Sequence, residues 1–189
     1  ISTSRYGYDK CNYHFGIMNY KGQTITTAQW REMGKSNNKK WNADYTFQNN
    51  CNIALPTFTN GFMRVQTKDG TWGYINESGK VIGNTNWTAV SDFSDGMAVV
   101  RDANLQYTFI NEQGQVIGSN TWGLIEDFSN GLAAVRKDFK WGFINKQNEL
   151  IIPCQYQQVK SFQADGTCDV MTTSGTWIVI DKQGNTAFF

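Results

Sequence analysis

The side chains able to do chemistry in this chain are few and poorly spaced for it. His14 is the single histidine, so any general base, triad or imidazole-bearing metal site has one candidate. Set beside Phe15 at the head of an apolar run, it reads as a surface or hydrogen-bonded structural residue. Cys11, Cys51, Cys154 and Cys168 are separated by 40, 103 and 14 residues, without the short spacing that zinc and redox sites use. Gly34-Lys35-Ser36 has the tail of a phosphate loop, yet Gln29 stands where its first glycine belongs, and no strand-to-helix context surrounds it. No calcium loop of the D-x-D-x-D-G type appears. Carboxylates remain, and a glycosidase pair would need to converge within about 5 to 9 Å. Asp92, Glu126 and Asp127 fall near repeat junctions and Asp95 and Asp138 in turns, where aspartate serves by bonding turn backbone. The expectation is a non-enzymatic chain with no catalytic residue, metal or cofactor.

The even cysteine count points instead to disulfides and to an oxidising compartment. Cys11 and Cys51 would pin the segment between them to its own repeat. Cys154 and Cys168 lie in neighbouring elements of the last two repeats. Export, to the periplasm or the medium, would require a leader removed ahead of Ile1.

The elements that carry these residues recur. Phe58, Phe93, Phe128 and Phe162 open equivalent units at steps of 35, 35 and 34 residues. Trp72, Tyr107, Trp141 and Trp177 follow in register, then Asn76, Asn111, Asn145 and Asp181, then Gly79, Gly114, Asn148 and Gly184. A degenerate copy precedes them, since Phe15, Gly16, Asn19, Gly22, Ile25 and Trp30 match Trp72 to Trp87 at a constant offset of 57. The resulting division is one repeat domain over 1–189: a degenerate copy at 1–30, an insertion at 31–51, and copies at 58–92, 93–127, 128–161 and 162–189. A repeat buries its apolar face only against its neighbours, so the period sets the architecture.

Each copy reads as β structure. Runs such as Met97 to Arg101 have small and branched apolar residues in alternation or in sequence, as strands buried on one or both faces do. A polar turn then leads into an aromatic strand. Asn-x-x-Gly ends that strand, with asparagine bonding its own backbone and glycine taking the left-handed conformation. A third short strand follows. The expected fold is all-β, a three-stranded antiparallel meander repeated in an open solenoid-like stack. Propeller-like closure is the alternative, disfavoured because 35 residues is short for the roughly 40 to 45 of a four-stranded blade.

Charge and composition exclude other classes. A net charge of +1 lacks the basic footprint of a duplex-binding protein, and no apolar run approaches the roughly 20 residues of a membrane-spanning helix. Two prolines and eighteen glycines suit tight hairpins.

TWGYINESGKVI and KWGFINKQNELIIP, together with Phe-Ser-x-Gly-x-Ala-x-Val ahead of such strands, resemble the WG repeat of bacteria. The resemblance covers 58–189 and, more loosely, 1–30. It departs at Tyr107-Thr108, where Trp-Gly is lost, and at Trp177-Ile178, where the glycine is lost. It implies a β-repeat scaffold used by exported and surface proteins and by some immunity proteins, and it implies no common chemistry.

Trp72, Trp141 and Trp177, with Gly79, Gly114 and Gly184, are demanded by the repeat and so read as structural. Trp41 is not, and with Lys35, Lys39, Lys40, Tyr45 and Phe47 it forms a cationic and aromatic patch suited to a partner, or else a cap over the end of the stack. The hairpin tips are the other candidate surface. The expected function is protein recognition, in the sharper form an immunity or inhibitor protein that blocks a toxin or effector enzyme. A carbohydrate or cell-envelope module using exposed aromatics is the alternative, with a glycan as partner.

Overall fold

Branched and aromatic residues crowd the segments at 97–101, 107–111 and 116–122, and each is a β-strand in the computed structural model, which describes residues 15–18, 24–30, 32–33 and 58–187. The strands fall into five antiparallel sheets in chain order. The first pairs β1 (Phe15–Met18) with β2 (Thr24–Trp30). The second is β3 (Glu32–Met33), β4 (Phe62–Gln66), β5 (Trp72–Asn76) and β6 (Val81–Trp87). The third is β7 (Ala89–Val90), β8 (Met97–Arg101), β9 (Tyr107–Asn111) and β10 (Val116–Trp122). The fourth is β11 (Leu124–Ile125), β12 (Leu132–Lys137), β13 (Lys140–Asn145) and β14 (Leu150–Tyr156). The fifth is β15 (Gln158–Val159), β16 (Cys168–Met171) and β17 (Trp177–Ile180).

In the second, third and fourth sheets a copy supplies the expected three-stranded meander, and a fourth strand joins it. The added strand is only two residues long. It pairs forward with the next sheet, as in Ala89↔Arg101 and Leu124↔Arg136, rather than trailing its own copy. The degenerate first copy holds its register, because Phe15↔Trp30 reproduces the cross-strand pairs Trp72↔Trp87, Tyr107↔Trp122 and Trp141↔Tyr156. Its sequel Glu32–Met33 pairs with β4.

Alternation along each central strand sends successive residues to opposite faces, and in the third and fourth sheets both faces are covered. Ala133, Val135 and Ile144 meet Met97, Val99, Phe109 and Trp122 of the preceding sheet. Leu132, Ala134, Phe143 and Ile152 meet Cys168, Val170 and Ile180 of the following one. Tyr74, Ile82 and Trp87 likewise meet Ala98, Val100 and Ile110, and Trp30 packs with Met63, Val65 and Ile75. The phenylalanine opening each copy closes the layer behind it, edge-on to an aromatic ring: Tyr74 to Phe93 at 4.9 Å, Phe109 to Phe128 at 5.1 Å, Phe143 to Phe162 at 4.9 Å. The chain is an all-β stack of tandem repeats, each sheet packed on the next.

The turns follow their expected chemistry. Asn76 Oδ1 accepts the N–H groups of Ser78 and Lys80 at 3.1 and 2.9 Å. Asn111, Asn145 and Asp181 repeat the bond pattern. Gly79, Gly114 and Gly184 take φ of 80°, 79° and 85°, and Asn148 takes 64° in the equivalent place.

Candidate functional site

The glycine of Trp-Gly positions the tryptophan before it. Between Trp72↔Trp87 and Tyr74↔Ile82 the later strand carries extra residues, and this bulge crosses over Gly73. A Cβ at Gly73 would lie 2.5 Å from Thr85 Cγ2, and one at Gly142 would lie 2.5 Å from the Ile152 carbonyl oxygen. In these two sheets the crossing leaves no room for a side chain at the glycine. Ile178 can replace glycine because the fifth sheet has no such strand over it among the described residues. Thr108 sits under the bulge of β10 with its hydroxyl 3.5 Å from the Ile117 carbonyl oxygen.

The aromatics ahead of these positions form a column along the stack. Trp72, Tyr107 and Trp141 are half-buried and Trp177 is exposed, whereas Trp87, Trp122 and Tyr156 lie in the core. Cations cover three of the four rings in the column. Arg101 stands 5.9 Å from the Tyr107 centroid, Arg136 5.8 Å from that of Trp141, and Lys160 5.7 Å from that of Trp177. Such contacts contribute about 0.5 to 1 kcal/mol each at exposed sites.

The tips beside this column are unequal. Gly70 and Gly175 hold the left-handed position in the outer hairpins, at φ 84° and 83°, while Leu105 and Phe139 hold it in the two middle ones, at 64° and 63°. A non-glycine residue there costs roughly 1 to 2 kcal/mol. Yet Leu105 is 65% and Phe139 84% exposed, so burial returns little of that cost. Arg136 also lies 5.6 Å from the Phe139 ring. In the sequence Phe139 belongs to a turn, Lys137-Asp138-Phe139, and neither residue stands out as a contact. Aligning Gly70, Leu105, Phe139 and Gly175 would have found them, as large apolar residues in a glycine's place.

Carboxylates and thiols at the junctions are structural. Asp92 pairs with Arg64 at 2.8 Å, and Arg64 occupies the register of Val99 and Ala134. Asp127 keeps an exposed side, but surrounding chain desolvates its carboxyl and raises its pKa against a hydrogen bond from Ser91. Asp95 accepts from the Gly131 N–H and pairs with Lys146 at 2.9 Å, so it braces two copies. Cys154 and Cys168 are free thiols, which corrects the pairing expected of them. Cys154 packs against the layer between the third and fourth sheets, and Cys168 belongs to the layer between the fourth and fifth. The Cys168 Sγ donates to the Lys160 carbonyl oxygen at 3.0 Å, and burial pushes its pKa up to about 11. It is an inert core thiol.

Lys35, Lys39, Lys40, Trp41, Tyr45 and Phe47, with His14, Cys11 and Cys51, lie outside the described residues. No helix among the described residues is long and apolar enough to cross a membrane.

Face-to-face sheets joined by short turns, with an aromatic column on one edge, define a tandem β-repeat protein built as a binding module. The WG containing repeat matches at residues 72–105, 107–141 and 141–177, over half of the chain, and the chain belongs to that family. The matches begin at Trp72, Tyr107 and Trp141, which hold equivalent positions in three successive copies. No curated protein matches the chain. Among solved structures it is similar to KlHsv2 with loop 6CD replaced by a Gly-Ser linker, at 14% identity and a TM-score of 0.45, over 67% of this chain and 48% of that one. The chain thus spans about half the length of that structure.

Proposed function

We propose that this chain is a non-enzymatic, exported module that works by recognising another protein, and that its role is that of an immunity or inhibitor protein blocking a bacterial toxin or effector enzyme. The observation that carries the protein-binding part is the cationic cover on the aromatic column. Sugar binding uses bare ring faces, and here Arg101, Arg136 and Lys160 lie over the faces of Tyr107, Trp141 and Trp177. Aromatic residues and arginine presented together are the composition of interface hot spots. An inhibitor also needs a rigid scaffold, which the doubly covered sheets provide, and a segment outside the repeat for specificity, which is the role proposed for the insertion. Export rests on a bridge between Cys11 and Cys51.

Recurrence of half-exposed aromatics in four successive copies favours a second reading, a carbohydrate or cell-envelope module. Affinity capture of the oxidised chain from an envelope extract, with a glycan array alongside, separates the two. One stoichiometric protein partner, a hydrolase or toxin inhibited by the chain, is the expected result. Sugar binding without a protein partner would overturn it.

A further inference from the structure

Leu105 and Phe139 each take a left-handed conformation at the tip of adjacent copies, Leu105 in a turn closed by Asp102 and Gln106 and Phe139 in a tighter one with Asp138. Each occupies a left-handed position that glycine fills in the flanking hairpins, and each leaves a large apolar side chain in water. Outliers retained against conformational preference cluster at ligand-binding sites. Packing does not account for them, since neither belongs to any of the four core layers. The charge around them is one-sided. Arg101, Arg136, Lys137 and Lys140 flank the two tips against Asp102 and Asp138, and Asp102 Oδ1 accepts the N–H groups of Asn104 and Gln106 at 2.9 Å each. The opposite edge of the stack is mixed in charge, with Glu77, Glu112 and Glu149 beside Lys80, Lys146 and Lys182.

We infer that these two tips form a docking edge for an acidic linear segment of a partner protein, with Leu105 and Phe139 as apolar anchors and the surrounding cations pairing with its carboxylates. This deepens the protein-recognition reading and rests on it. Stacked sheets lie about 10 Å apart, so an extended segment crossing both tips spans about three residues between its two apolar contacts. Acidic residues between and beside those contacts meet Arg101 and Arg136. The arginines are already held against ring faces, so less freedom is lost when they pair with a carboxylate.

The test pans a phage-displayed random peptide library on the folded full chain, then measures enriched peptides by fluorescence anisotropy. The comparison proteins are the Leu105→Gly/Phe139→Gly double variant and an Arg101→Gln/Arg136→Gln double variant. Glycine is the residue the outer hairpins carry, so the first variant keeps the turn. Enriched peptides should pair two apolar residues about three apart with acidic neighbours. They should bind the glycine variant about tenfold or more weakly, and weaken with salt, because exposed pairs are screened over about 10 Å at 0.1 M. Peptides that bind the glycine variant as tightly as the parent would overturn the tip assignment and leave protein recognition standing. Peptides that need the tips but carry no acidic residues, or keep full affinity for the glutamine variant, would overturn the acidic partner alone. A panning that enriches nothing would overturn the docking edge, and the capture experiment would then decide the broader reading by itself.

Discussion

Gly142 shows how much of this fold hangs on a missing side chain. A Cβ there would meet the Ile152 carbonyl oxygen at 2.5 Å and the Cys154 nitrogen at 2.7 Å, all backbone that cannot swing aside. Gly142→Ala should therefore lower stability by about 1 to 3 kcal/mol, the range of overpacking, read from the urea midpoint. Gly131→Ala is the control. Its Cβ meets nothing within 4 Å, but φ is +94°, so strain alone, about 1 kcal/mol, is expected. Equal losses would mean that the bulge crossing is not what excludes a side chain. The Trp-Gly spacing was legible in the sequence, whereas its cause was not, because it lies in a bulge several residues downstream. The carboxylates carry opposite pH signatures. Hydrogen bonds from Asn185 hold the Asp181 pKa below its ordinary value, so its contribution is present above that value and fades as pH falls through the folded pKa. Burial raises the Asp127 pKa, so its contribution is present at low pH and is lost as pH rises through the folded pKa. Asp127→Asn should accordingly move the denaturation midpoint upward at neutral pH and leave it nearly unchanged below the ordinary carboxylate range. An equal shift at both values would locate its effect in packing rather than charge.

The alignment of the copies was legible in the sequence, whereas the strand registers and the fourth strand were not. The aromatic positions aligned between copies are paired across strands, as Trp72↔Trp87, Trp141↔Tyr156 and, in the degenerate copy, Phe15↔Trp30. The fourth strand escaped notice because two residues carry no periodicity, and Ala89–Val90 and Leu124–Ile125 reveal their role only by pairing forward. The paired cysteines failed for a related reason. Fourteen residues of sequence separation says nothing about which face of a sheet a side chain takes, and Cys154 and Cys168 belong to different layers. The β3 to β4 connection places the insertion where other copies use a short loop such as that between Val90 and Met97. Since Glu32↔Gln66 and Met33↔Val65 hold the two sides of this connection together, deleting residues 35–47 should leave the melting temperature within a few degrees, a shift corresponding to about 1 kcal/mol or less. Partner capture by the deletion variant then decides whether Lys39, Lys40 and Trp41 are contacts. Retention of every partner would assign recognition to the hairpin edge alone. A disulfide map of the same protein, by peptide mass under non-reducing conditions, should find Cys11 joined to Cys51 and Cys154 and Cys168 unpaired.

At the scale of the whole molecule, the three interfaces from the second sheet to the fifth are assembled from the same three parts, and their sum fixes how the stack should fail. One part is the apolar layer, another the edge-on ring pair. The third is a latch in which a turn side chain of one copy donates to the phenylalanine carbonyl of the next: Asn60 to Phe93 at 2.7 Å, Ser94 to Phe128 at 2.7 Å, and Ser129 to Phe162 at 2.8 Å. The latch gives Phe-Ser-x-Gly a purpose that its recurrence alone did not disclose. Because a repeat contacts only its neighbours, stability is close to a sum of repeat and nearest-neighbour terms, and an interface weakened enough should uncouple the two sides. Phe128→Ala removes a ring that is 1% exposed and packs on Phe109, at an expected loss of about 3 to 5 kcal/mol. That loss falls on the third and fourth sheets' interface, leaving the layers around Tyr74 and Phe143 intact. Denaturant unfolding of the variant, followed by circular dichroism and tryptophan fluorescence together, should split into two transitions where the parent shows one. If the variant instead melts in a single transition at a lower midpoint, coupling must reach around the weakened interface, as closure of the stack into a ring would allow.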